Sequence, residues 1–162
     1  QDGTTITPIN YKYSFQGGIT RKKEIQFNTS TEDINSLHKN KWFKLPKEKG
    51  VLDRLSMQEQ LRLLLMTNVD TPKRLNFRVA DGSRIKNYTF LFLGEETLST
   101  NIGDIKTIRF SRKFENPDRL DDVWLAPDLD FLMVKHSHTE NGNSNQASLL
   151  EFSIGYVGAS KN

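Results

Sequence analysis

Along most of the chain, apolar residues recur at every second position, and each run is closed by Gly, Asn, Asp or Pro. Ile9, Tyr11, Tyr13 and Phe15 alternate with Asn10, Lys12 and Ser14. Leu75, Phe77 and Val79 alternate before Asp81-Gly82, and Tyr88, Phe90 and Phe92 before Gly94. Period two sends successive side chains to opposite faces of a strand, so each run buries one face and wets the other. Strands buried on both faces would read as unbroken apolar runs. Only 35% of the residues are hydrophobic and 27% are charged, which favours a half-solvated antiparallel sheet over a thick parallel one.

The same pattern places the remaining elements. Gln16-Gly17-Gly18 supplies a tight turn, after which Ile19, Ile25 and Phe27 resume the alternation and predict a hairpin. Asn28 to Asp33 is a polar turn cluster, and Ile34 to Lys49 is lysine-rich and irregular, anchored by Trp42, Phe43 and Leu45. Ser56-Met57-Gln58-Glu59 fits a capping box, which predicts a helix from about Met57 to Thr67 with Met57, Leu61, Leu64 and Leu65 on one face. A strand around Glu95 to Thr100 leads through Asn101-Ile102-Gly103-Asp104 into Ile105 to Phe114, and Asn116-Pro117-Asp118 turns the chain. The last strands are Val123 to Leu125, Phe131 to Thr139 and Leu149 to Tyr156. Pro127 marks a bend, and Glu140 to Asn145 reads as a long polar loop. The expected fold is mainly β (α+β): a curved antiparallel meander sheet, partly closed like an incomplete barrel, packed on one short α-helix. Residues 1–162 suit a single β-rich domain with one core.

The formal charge of +3, from 23 basic and 20 acidic residues, is too small an excess to indicate nucleic acid. Arg21-Lys22-Lys23 and the lysines from Lys39 to Lys49 read as a solvated strand face and loop. With no cysteine, a disulfide framework, a thiolate nucleophile and a cysteine-bound metal are excluded. The chain starts at Gln1, without a methionine, and reads as a processed chain or a fragment.

Candidate chemistry is sparse. His136 and His138 lie two apart on one strand face, as two metal ligands would, with His38 or Glu140 as a possible third. An exposed polar edge explains the pair more simply, and no metal or other cofactor is expected. Asp118, Asp121, Asp122, Asp128 and Asp130 are the densest acidic group, the kind that glycoside hydrolysis needs, yet they flank turns where aspartate is favoured for its own backbone bonds. Gly94-Glu95-Glu96 offers a base, although a strand boundary accounts for the glycine. Trp42, Phe43, Tyr88, Phe90, Phe92 and Trp124 could line an apolar ligand pocket, with core packing as the competing explanation.

Five separated motifs occur in order: Leu52 to Arg62 (LDRLSMQEQLR), Val79-Ala80-Asp81-Gly82, Tyr88-Thr89-Phe90, Gly94-Glu95-Glu96-Thr97-Leu98 and Trp124-Leu125-Ala126-Pro127-Asp128-Leu129. Together they resemble the bacterial family catalogued as domain of unknown function 3108. The resemblance implies an exported, periplasmic or envelope-associated protein of Gram-negative bacteria with an antiparallel β architecture and one short helix. It implies no reaction. Family members carry further N-terminal strands before the segment matched here by Asp2-Gly3 and Pro8-Ile9-Asn10-Tyr11, so an open sheet edge is expected at the Tyr11 and Tyr13 strand. The expected function is non-enzymatic binding of an apolar or amphipathic ligand, such as a lipid, or of an envelope protein, with self-association through the open edge and no nucleic acid as partner. The alternatives are a hydrolase acting on envelope glycan or lipid through the aspartates near Trp124, and a purely structural subunit.

Overall fold

The computed structural model describes residues 5–16, 21–28, 30, 32–114 and 116–152. Strands dominate and one α-helix is present among the described residues, so the mainly β class with a single helix holds. The strands form two sheets, not one. The first is an antiparallel meander of β1 (Asn10–Phe15), β2 (Arg21–Phe27), β3 (Asp33–His38) and β4 (Lys41–Pro46) in that spatial order. The second holds β5 (Val51–Leu52), β6 (Arg74–Asp81), β7 (Arg84–Thr100), β8 (Gly103–Lys113), β9 (Arg119–Ala126), β10 (Leu132–Glu140) and β11 (Asn143–Ser148), again in chain order. Between β5 and β6 runs α1 (Arg54–Thr67), and β5 pairs with β6 in parallel. The helix is therefore a crossover connection, which a parallel pair requires. Neither sheet closes into a barrel. No helix among the described residues is long and apolar enough to cross a membrane.

Several boundaries differ from expectation for identifiable reasons. The helix starts at Arg54, and its N-cap is Asp53: Oδ1 accepts from the Leu55 and Ser56 amides at 2.9 and 3.0 Å. Ser56 is inside the first turn and donates its hydroxyl to Asp53 Oδ2 at 2.6 Å, so it supports the cap without being it. The supposedly irregular stretch from Ile34 to Lys49 is largely the β3–β4 hairpin, closed at Lys39 and Asn40 with φ of 50° and 60°. Its alternation is hidden because the buried position between Ile34 and the turn is Ser36, whose hydroxyl donates to the Gly82 carbonyl at 2.6 Å. Gly94 ends no strand. It sits at φ 134° in a bulge that lets β7 continue for 17 residues.

At the other end, Asn141-Gly142 makes a two-residue turn in place of a long loop, and β11 follows at once. All six β11 residues are exposed, so the strand exists through its backbone ladder and leaves no apolar signature. Leu149 to Phe152 are not strand, while Ile154 and Tyr156 of the expected last strand lie outside the described residues, as do Gly17, Gly18 and Ile19 of the first hairpin. The bend at Pro127 is real: a 3-10 turn over Pro127–Leu129 leads into Asp130 and Phe131 at φ 51° and 55°. The exposed Asp128 receives no hydrogen bond from the described residues.

Three apolar clusters hold the fold among the described residues, and two of them involve the helix and the smaller sheet. Met57, Leu61 and Leu65 of α1 pack on the inner face of the larger sheet against Phe77, Val79, Phe90, Ile108, Phe110 and Leu125. Ile25, Phe27, Ile34 and Leu45 of the smaller sheet close on Val51 and Ala80. Each fully buried large side chain contributes about 1.5–3 kcal/mol.

Candidate functional site

On the inner face of the larger sheet, strand alternation carries the core outward and then changes character. Phe77 and Val79 give way to Asp81 along β6, Phe110 to Arg112 along β8, and Val123 to Asp121 along β9. Register aligns the polar members across the sheet, since Phe90 faces Arg112, Arg112 faces Asp121 and Asp121 faces His138. Beyond this row opens a cleft of about 1010 Å³, walled also by Lys23 and His38 of the smaller sheet and by Arg54 of α1.

Asp81 is the hub of one wall. Its Oδ1 accepts from Arg54 Nε at 3.1 Å, and its Oδ2 accepts from Arg54 Nη2 at 3.1 Å, Lys86 Nζ at 2.7 Å and Tyr88 Oη at 2.8 Å. Lys23 Nζ stands 3.6 Å from Oδ1. Burial pushes the Asp81 carboxyl up, but the bonds and charges of Lys86 and Arg54 outweigh it and hold the group well below the usual carboxylate range. Burial also lowers Arg54, and Asp81 more than compensates, so the guanidinium is raised. Burial raises the Tyr88 phenol and keeps it a donor. The β6–β7 turn beside the hub needs Gly82, which has φ 73° and lies where a Cβ would come within 3.4 Å of the His38 ring. Burial pushes that imidazole down, and Lys23 and Lys39 act in the same direction.

Arg112 forms the floor. Its guanidinium lies 3.5 Å over the Tyr88 ring and 3.9 Å over the Phe114 ring, and Nη1 is 3.2 Å from Asp121 Oδ2. The side chain is 11% exposed. Asp121 is shared: Oδ1 is hydrogen-bonded to His138 Nδ1 and lies 3.8 Å from His136 Nε2. Burial raises its carboxyl, while those two histidines and Arg112 outweigh burial and lower it.

Eight lysine and arginine side chains line the cleft against one carboxylate, Asp81. Asp81 neutralises one of the three cations around it, and Asp121 and Glu140, from outside, take Arg112 and Arg119. Arg74, Arg84 and Lys113 have no ion-pair partner among the described residues. Five positive charges are left unmatched among these lining residues, but Arg74, paired with Leu91, and Lys113, paired with Thr89, alternate to the other face of the sheet. Three unmatched charges therefore stand on the Arg112 face, an arrangement that binds anions.

The six aromatics proposed as a ligand pocket are not brought together. Tyr88, Phe90 and Phe92 belong to the α1 core, and of the six only Tyr88 lines the cleft. Phe43 packs in the second core, while Trp42 is 53% exposed. Trp124 is buried on the opposite face of the larger sheet with Ala126 and Val134, donating Nε1–H to Glu96 Oε1 at 2.6 Å. Glu96 is thereby engaged as an acceptor.

The aspartates are likewise dispersed. Asp121 faces the cleft row, whereas its neighbour Asp122 bonds Arg109 on the other face. The backbone carbonyl of Asp130 accepts from Arg62, and Asp118 sits in the turn after Asn116. His136 and His138 converge on Asp121, and Glu140 Oε2 is 3.7 Å from His138 Nε2. Among the described residues no three His, Asp or Glu groups are placed to hold a metal ion.

Residues 1–149 match the sequence model of the family described as protein of unknown function (DUF3108). The chain belongs to this family. No curated protein and no solved structure matches it. The match spans all five motifs, and Asp53, Arg54, Asp81, Tyr88 and Trp124 are among the motif residues that carry polar or ionic contacts in this DUF3108 chain.

Sequence reasoning missed the cleft. Arg54, Arg74, Arg84 and Lys113 are far apart in the chain and follow no local pattern; strand pairing places the last three, and the Asp81 ion pair places Arg54 of α1. Only Lys23, in the run Arg21-Lys22-Lys23, belonged to a basic cluster visible beforehand.

Proposed function

We propose that this protein is a non-enzymatic binding protein of the cell envelope that holds an amphipathic ligand by its anionic head in the cleft above Arg112. The observation that carries the reading is the excess of three unmatched cations on the Arg112 face of that cleft. Phe114 adds an apolar ring on this face, and the other apolar side chains of the face pack against α1. A charged head therefore fits the cleft better than a wholly apolar molecule does. The hydrolase alternative has less support, because Asp121 and Asp122 lie on opposite faces and each is committed to a cation or an imidazole. Placement in the envelope rests on the export implied by the family resemblance.

Native mass spectrometry of the protein purified from its own envelope tests the reading. An anionic amphiphile should copurify and should be lost when Arg84 and Arg112 are both changed to glutamine. Recovery of the bare chain, or of an uncharged ligand, would refute the proposal.

A second reading concerns a protein partner. Strand β1 is the end member of its sheet among the described residues, exposes Tyr13 and Phe15, and carries a single charge at Lys12. Such an edge can add a strand from a second copy of the chain with little charge repulsion. Light scattering should then show a dimer that Tyr13→Pro dissolves, and a wild-type monomer at high concentration would sink it.

A further inference from the structure

We infer that the anchoring group of the ligand is a phosphate monoester and that Arg112 is the residue that grips it, an inference that rests on the amphiphile reading. The Tyr88 and Phe114 ring centroids lie 3.5 and 3.9 Å from the Arg112 guanidinium carbon, so two rings crowd the group and its N–H edge is the part suited to a ligand. A guanidinium has five N–H donors in one plane. One terminal nitrogen faces Asp121, and no other acceptor for this group is present among the described residues. Asp121 itself is divided between Arg112 and the two histidines, which leaves the guanidinium only partly compensated. A largely buried arginine with free donors on the floor of a cleft is an oxyanion receptor.

The remaining charges distinguish the oxyanion. A carboxylate or a sulfate ester brings one negative charge to a face with three unmatched cations. A phosphate monoester brings about −1.5 to −2 and three acceptor oxygens. Two of those oxygens suit the Arg112 edge, and the third suits Arg84, which shares the Arg112 face. The same chemistry could come from a lipid headgroup or from free phosphate, and the ligand series below separates the two.

Isothermal titration calorimetry on the full chain, at pH 8 and below micelle-forming concentration, would compare monododecyl phosphate, dodecanoate and inorganic phosphate. Monododecyl phosphate should bind about ten-fold or more tightly than dodecanoate. Arg112→Lys should abolish that preference, and Arg84→Gln, which removes a partner of the third oxygen, should narrow it. Phe114→Leu removes one wall of the clamp and no charge, and should narrow the preference even if Arg112→Lys does not fold. Equal affinity for the two amphiphiles would overturn the phosphate assignment while leaving the amphiphile reading intact. Inorganic phosphate binding as tightly as monododecyl phosphate would overturn the amphiphile reading and keep the phosphate. Failure of all three ligands to bind would overturn both.

Discussion

Arg54 grips Asp81 through two parallel bonds, Nε to Oδ1 and Nη2 to Oδ2, each 3.1 Å long. Arg54 is the first residue of α1 and Asp81 the last of β6, so this pair fixes the start of the helix against the end of the strand it feeds. The same carboxylate holds Lys86 and Tyr88 of β7. Asp81→Asn keeps the shape and removes the charge, leaving three cations to repel one another at a nearly dry point. The expected loss is about 2–3 kcal/mol, less than for a fully buried pair because Arg54 and Lys86 reach solvent. Urea unfolding would measure it, and an unchanged midpoint would show that Asp81 does not organise this wall.

The acid limb of stability should carry the same signature. The folded-state carboxyl of Asp81 lies below its unfolded value, so between the two values the unfolded chain binds the extra proton. The contribution is complete above the unfolded pKa of about 3.9 and is lost as pH falls through the folded one. The stability difference between wild type and Asp81→Asn should stay constant above about pH 5 and narrow below about pH 4. A difference that widens on acidification would reverse the assigned sign.

At the helix start, Asp53 and Ser56 make opposite predictions from those of the capping-box reading. Asp53 accepts two amides and the Ser56 hydroxyl while almost fully buried. Asp53→Ala should cost about 2 kcal/mol, and Ser56→Ala, which loses one hydroxyl bond, about 1 kcal/mol or less. Thermal unfolding of the two variants checks the ranking, and the reverse order would restore Ser56 as the cap.

What could be read from sequence was the part of the fold that apolar alternation writes. Strands β6, β8 and β9 and the break at Pro127 were legible because one face of each strand is hydrophobic, whereas the bulge at Gly94 made β7 read as two strands. The β3–β4 hairpin was not, since Ser36 occupies a core position by bonding the Gly82 carbonyl, and β11 was not, since its ladder is clothed in exposed polar side chains. The short parallel β5 has only Val51 and Leu52 to declare it. The cleft was illegible for a different reason. Asp81-Gly82 was correctly read as a turn, and turn chemistry is sufficient cause for an aspartate there. That the same carboxylate organises cations from α1, β7 and the smaller sheet depends on contacts 5 to 58 residues apart in the chain.

The two tryptophans separate the sheets experimentally. Trp42 points outward from β4, 53% exposed and paired across the strands with Leu37. Trp124 is 5% exposed, bonded to Glu96, with the Arg109 and Lys135 cations 4.9 and 4.6 Å from its ring. Trp124→Ala should therefore cost about 3–5 kcal/mol, and Trp42→Ala less than about 0.5 kcal/mol. In single-tryptophan variants made with phenylalanine, acrylamide should quench Trp42 freely and Trp124 hardly at all. Comparable quenching would mean that β4 is covered on its outer face, and would contradict a register in which Phe43 and Leu45, and not Trp42, close the second core.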